Sequence, residues 1–173
     1  MEASDILIDA AQRSLHSVEQ VLGGISAQTL HTRPNGQGNS IAWLVWHSAR
    51  QMDAQLAHLR GGEQEWVTGD WASALGVDRG PHESGFGDDV NDVASIQVVD
   101  PSLLQAYLRT CVEAFVAYLA SQSAQDLDTV IDTSGDPPVT AGVRMVSIID
   151  DAVAHLAQAA YARGLIEGWR IGY

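Results

Sequence analysis

Asp151 and His155 lie four residues apart in DDAVAHLAQAAYARGLI, a stretch that reads as helix. Their side chains therefore leave one face about one turn apart and can reach a single ion. Alone, such a pair is usually an exposed hydrogen-bonded couple. His47 changes the reading, because it sits in IAWLVWHSAR among residues that should be packed, where an unpaired imidazole is costly to bury. If the helix carrying His47 faces the helix carrying Asp151 and His155, two donors from one and one from the other make a facial triad. Nitrogen, oxygen and nitrogen donors suit zinc, nickel or ferrous iron, and three protein ligands leave positions open for water or substrate. Gln158 continues the stripe, as an outer support for the ligands or a substrate contact. Arg144, two turns earlier on the same stripe, and Arg163 are candidate clamps for a carboxylate on a substrate or thiol cosubstrate. A solvated helix face is the simpler account of both arginines.

Four helical segments have to position these groups. Leu7, Ala11, Leu15, Val18 and Leu22 recur at helical spacing after a Ser4 cap, and Gly23-Gly24 offers a stop. The turn-rich HTRPNGQG ends at Asn39-Ser40, either of which can cap a second helix running to about Arg60, with Leu44, His47, Gln51, Ala54 and His58 on one stripe. From Gly62 to about Val99 the periodicity fails, with one short helix expected near Asp70 to Leu75. Connections this long are uncommon in compact domains and are often lids or binding loops; disorder near Gly80 to Asp92 is the alternative. Asp100-Pro101 opens a third helix, whose apolar face is Leu104, Tyr107, Leu108, Cys111, Phe115, Tyr118 and Leu119. After TSGDPP a fourth helix runs from near Thr140 to about Gly168. No repeat or linker interrupts residues 1–173, which predicts one all-α four-helix bundle with a long loop between its second and third helices and essentially no sheet.

Composition narrows the partners. The chain has 173 residues, 46% of them hydrophobic and 18% charged, which is a globular balance. Its formal charge of −13, from 22 acidic and 9 basic residues, points away from nucleic acid, whose phosphate backbone needs a cationic face. All the basic residues are arginine and alanine is abundant, a codon signature of a GC-rich genome. One cysteine, Cys111, leaves no internal disulfide or CxxC motif, and no apolar run approaches a membrane span, so a cytoplasmic protein is expected. Cys111 reads as a small buried apolar residue, and Asp53 as half of a surface salt bridge. His58 lies three turns beyond His47 and reads as exposed, while His16, His31 and His82 have no evident partner. Trp66, Trp71 and Tyr161 fit a pocket mouth or core packing equally well.

The stretches NSIAWLVWHSAR and DDAVAHLAQAAYARGLI resemble the two signature helices of the DinB/YfiT-like superfamily, and more narrowly its mycothiol-dependent branch, which includes maleylpyruvate isomerase. The resemblance spans nearly the whole chain in helix order. It implies an up-down-down-up, left-handed four-helix bundle and a metal held by one histidine of helix two and two ligands of helix four. The family's helix-four pattern, histidine, three residues, histidine, two residues, glutamine, places its second histidine on His155 and its glutamine on Gln158. Its first position is Asp151, a departure toward the acidic ligand of the isomerase branch that keeps a metal-binding oxygen. Three functions share this ligand set. One is a metal-dependent transferase or isomerase that activates a low-molecular-weight thiol such as mycothiol as thiolate and delivers it to an electrophile. The second is a metal-dependent hydrolase; the third is a non-enzymatic, dimeric metal- or ligand-binding stress protein. A homodimer is expected in each case.

Overall fold

The computed structural model describes residues 2–172. Four long helices form the bundle: α1 (Ala3–Leu22), α3 (Ile41–Arg60), α7 (Pro101–Ala120) and α9 (Ala141–Glu167). Short helices punctuate the connections: α2 (Ala27–His31), α4 (Glu65–Thr68), α5 (Trp71–Leu75), α6 (Val90–Ser95) and α8 (Ala124–Leu127). The start of α1 differs from the sequence reading, since Glu2 is the cap and forms a capping box with Asp5, leaving Ser4 inside the helix. The caps of α3 and α7 follow expectation. Ser40 accepts from the Trp43 amide at 3.2 Å and Asp100 from the Ser102 amide at 2.8 Å.

Helix α3 packs on α7 and α9, and α1 packs on the same two helices. Directions follow from specific contacts. His47 lies beside His155 while Gln51 donates to the Ile148 carbonyl at 3.1 Å, so residue numbers fall along α9 as they rise along α3. Those two helices are antiparallel. Arg163 near the end of α9 donates to the Val21 and Gly23 carbonyls at the end of α1, at 2.8 and 2.9 Å, making α1 and α9 parallel. Helix α8 follows the end of α7 and sits at the start of α9, where the Ala141 amide donates to the Thr129 carbonyl. Helix α7 therefore runs opposite to α9 and parallel to α3, giving the up-down-down-up order.

A parallel, adjacent α3 and α7 oblige the chain to travel back one helix length, about 30 Å for 20 residues, before α7 can begin. Residues 62–99, the strap, make that journey. Asp53 of α3 binds the Glu65 and Trp66 amides, Arg50 binds the Pro81 carbonyl, His47 binds Ser84, and Trp43 binds Asp88. The strap is thus laid antiparallel along one face of α3. With α7, α9 and the strap around it, α3 is buried continuously from Ile41 to Asp53, its polar residues His47, Ser48, Arg50, Gln51 and Asp53 included. The strap contains three short helices, of which α5 coincides with the segment expected near Asp70 to Leu75.

The TSGDPP turn joins two short antiparallel strands, β1 (Val130–Asp132) and β2 (Val139–Thr140), a small hairpin where no sheet was expected. Strands of three and two residues carry too little hydrophobic alternation to register as a pattern. Among the described residues no helix is long and apolar enough to cross a membrane.

Candidate metal centre

His47 comes from the middle of α3, and Asp151 and His155 from the middle of α9. One potential ligand atom from each lies within 4.8 Å of the other two. The antiparallel pairing of α3 and α9 brings them together, and the four-residue spacing puts both α9 ligands on the α3-facing side.

Each imidazole is held by its Nδ1. His47 Nδ1–H donates to the Ser84 carbonyl at 2.6 Å, and its ring stacks on Trp43 at 4.6 Å with 10° between planes. His155 Nδ1–H donates to the Asp151 carbonyl at 2.8 Å, with the Asp151 carboxylate 3.2 Å away. Both Nε2 atoms are consequently the ones left to act as donors, in the tautomer that an Nδ1–H hydrogen bond selects. The rings approach edge to face at 4.6 Å. Burial lowers the pKa of His47, an effect only partly opposed by the Ser84 hydrogen bond. The hydrogen bond to the Asp151 side chain raises that of His155. The neutral form that a metal ligand requires is thereby favoured for His47, whereas the Asp151 contact favours the protonated form of His155.

A cleft of about 330 Å³ opens onto this cluster, bounded by His47, Asp151, Gln51, Gln55 and Ser84, with Phe86 at its rim. Phe86 is 95% exposed, an aromatic side chain presented to solvent beside the cleft. A larger cavity of about 570 Å³ shares Ala54 and Ser84 with it and holds His58 and His82. The larger space is lined by neither His47 nor Asp151.

The other sequence candidates lie apart from the cluster. Gln158 is exposed and lines a separate groove with Leu44, Asn35 and Tyr161; among the described residues no hydrogen bond joins it to His155. Arg144 faces Asp132 of β1 at 4.0 Å. Arg163 is buried under Trp169, is paired with Glu167, and binds the carbonyls that end α1, a helix-capping role. His58 is exposed. His31 accepts from the Val98 amide at 3.1 Å, fixing the end of the strap.

Asp53 corrects the expectation of a surface salt bridge. Its side chain is fully buried, 3.6 Å from the equally buried Arg50. It accepts from the Glu65 and Trp66 amides at 2.8 and 2.7 Å and from the Tyr107 hydroxyl at 2.8 Å. Arg50 in turn lies over the Trp66 ring and donates to Gln64 and Pro81. Trp66 belongs to this packed network, whereas Tyr161 is 70% exposed. Cys111 is buried as expected, and burial pushes its thiol pKa well up. Sequence reasoning missed Ser84, Gly85 and Trp43, which surround His47. The tryptophan's position four residues before His47 was the one available signal.

The fold and cluster define an all-α bundle with a histidine–aspartate–histidine set that could hold a metal ion. Residues 10–159 match the DinB superfamily, and the chain belongs to that superfamily. A crystal structure described as the conserved protein of a locus from Enterococcus faecalis is similar over 98% of this chain and 99% of that one, with 31% identity and a TM-score of 0.91. No curated protein matches the chain.

Proposed function

We propose that the chain is a metal-dependent transferase or isomerase that uses a low-molecular-weight thiol such as mycothiol, with one divalent ion held by His47, Asp151 and His155. Zinc is the first choice, with nickel or ferrous iron as alternatives. The observation that carries the reading is the convergence of the three groups with both Nδ1 atoms already committed to oxygen acceptors. That donor set fits a divalent ion: two imidazole nitrogens and one carboxylate oxygen, orientation fixed from outside, and a cleft on the open side. An ion bound there with open positions lowers the pKa of a thiol or water that reaches it.

The chain's own residues supply the rest. Trp43 and the strap keep bulk water from His47, and Asp151 balances the ion's charge while holding His155 in place. Gln55, which donates to the Gln51 amide oxygen at 2.6 Å, keeps its own amide oxygen for a polar thiol or its electrophile in the cleft. Support for the thiol comes from the superfamily membership together with the likeness of the two signature helices to the mycothiol-dependent branch. The protein would act in the cytoplasm as one domain over 1–173, paired as a homodimer. Exposed Val146, Val153, Tyr161 and Leu165 on α9 offer an apolar face for a second copy.

Cobalt-loaded protein titrated with mycothiol tests this reading. A thiol-dependent change in the cobalt absorption, followed by thiol-dependent consumption of an alkylating electrophile or of maleylpyruvate, is expected. A spectrum indifferent to thiol, with hydrolysis proceeding in its absence, would replace it with the hydrolase. Binding of metal with neither activity would leave a metal-binding stress protein.

A further inference from the structure

Ser84 and Gly85 lie in the middle of the strap, 37 and 38 positions along the chain from His47, yet they form its immediate surroundings. The Ser84 carbonyl accepts the His47 Nδ1–H at 2.6 Å. Gly85 follows with φ +98°, and a Cβ built on it would stand 2.7 Å from His47 Nδ1, 3.0 Å from the Trp46 ring and 3.1 Å from the Trp43 ring. Backbone and imidazole are so close that only glycine fits, in a conformation that other residues rarely adopt. The strap is fastened to α3 on both sides of this contact. Arg50 binds the Pro81 carbonyl at 2.9 Å, and Trp43 Nε1–H donates to the Asp88 carboxylate at 2.8 Å. Arg79 donates to the same Asp88 carboxylate oxygen at 3.2 Å.

We propose that the strap is a fixed wall of the metal centre, in which the Ser84 carbonyl positions His47 as the Nδ1–H tautomer and Gly85 lets the backbone reach it. The metal part of this inference rests on the reading of His47 as a ligand. A carbonyl accepting from Nδ1–H leaves the Nε2 lone pair free, prevents ring rotation and makes that nitrogen a better donor. Arg50 and Asp88 act one step further out, by setting the height of the strap above α3. Such a wall differs from a lid, because lifting it would release His47 rather than merely open the cleft.

Two glycines give a matched test. Gly87 also has a positive φ, +84°, but a Cβ there meets nothing within 4 Å. Gly85→Ala and Gly87→Ala therefore share backbone strain and differ in contact with His47. Zinc affinity is measured on the metal-free full chain by competition with a chromophoric chelator, beside thermal melting and the 15N shifts of His47. Gly85→Ala should bind zinc about 10- to 100-fold more weakly and show a mixture of His47 tautomers, while Gly87→Ala binds as the parent does. Equal affinities in the two variants, or equal losses, would overturn the proposal. If the parent itself binds no zinc, the metal reading fails, and the 15N shifts still decide the positioning role. If Gly85→Ala does not fold, an Nε2–H tautomer of His47 in the parent refutes the wall, and an Nδ1–H tautomer upholds it.

Discussion

Replacing Asp53 by asparagine removes one charge from the inside of the protein while keeping the side chain's shape. Asp53 accepts three hydrogen bonds, from two strap amides and from Tyr107, and faces Arg50 with both side chains at 0% exposure. Asparagine has one acceptor oxygen, and its NH2 group would point at a donor. Arg50 would retain only neutral partners, Gln64, Tyr107 and the carbonyls of Gly80 and Pro81. Breaking a buried pair by removing one partner costs about 3–5 kcal/mol, and at this chain length each kcal/mol moves the melting temperature by about 2–4 °C. A fall of roughly 10 °C follows from those two figures. The matched control is Asp9→Asn, which breaks a shorter contact to Arg13, 2.7 Å, whose side chains are 67% and 75% exposed. Solvent screening should keep that loss under about 1 kcal/mol. Calorimetry and urea unfolding followed by tryptophan fluorescence measure both. A loss for Asp53→Asn no larger than that of the control would show that the buried network does not fasten the strap.

One divalent ion per chain is expected from elemental analysis of metal-loaded protein, with His47→Ala and His155→Ala at least tenfold weaker in affinity, by about 1.4 kcal/mol or more. Asp151→Ala should also weaken binding, whereas Asp151→His retains a donor; parent-like binding by His47→Ala and His155→Ala would remove the assignment. A chelator should abolish metal-dependent turnover and leave the far-ultraviolet circular dichroism helical, because the core of Trp46, Leu104, Phe115 and Leu156 is built without the ion. Cys111 should resist thiol reagents in the native protein and react on unfolding, since it is fully buried and its pKa is raised. Cys111→Ser should leave thiol-dependent turnover nearly unchanged, and complete loss would move the nucleophile onto the protein.

The four long helices could be read from the sequence because each carries its own periodicity and ending signals, such as Ser40 before α3 and Gly61 after it. The pairing of His47 with Asp151 and His155 was legible for a different reason: an imidazole in an apolar stretch needs a partner, and two helices carried complementary groups. What escaped was fixed by distant contacts. The strap has no periodicity because its position is set by bonds to α3, and Asp53 reads as a surface acid from sequence because its partners are two backbone amides of that strap, which no side-chain pattern marks. Ser84 holds His47 through its carbonyl, a group every residue has, so no side-chain pattern could point to it.

The continuous burial of α3 from Ile41 to Asp53 has a consequence for how the molecule opens. A bundle helix with one face in water can remain docked when a neighbouring loop frays, but α3 has Trp43, Trp46, Arg50 and Asp53 turned toward or closed beneath the strap. Detaching residues 64–88 would wet two buried charges and two tryptophans together, so strap release and loosening of α3 form a single event. In native-state hydrogen exchange, the amides of Glu65 and Trp66, which are bonded to Asp53, should therefore exchange with the same opening free energy as those in the middle of α3. The slow-exchanging unit of this protein would include part of its longest irregular connection.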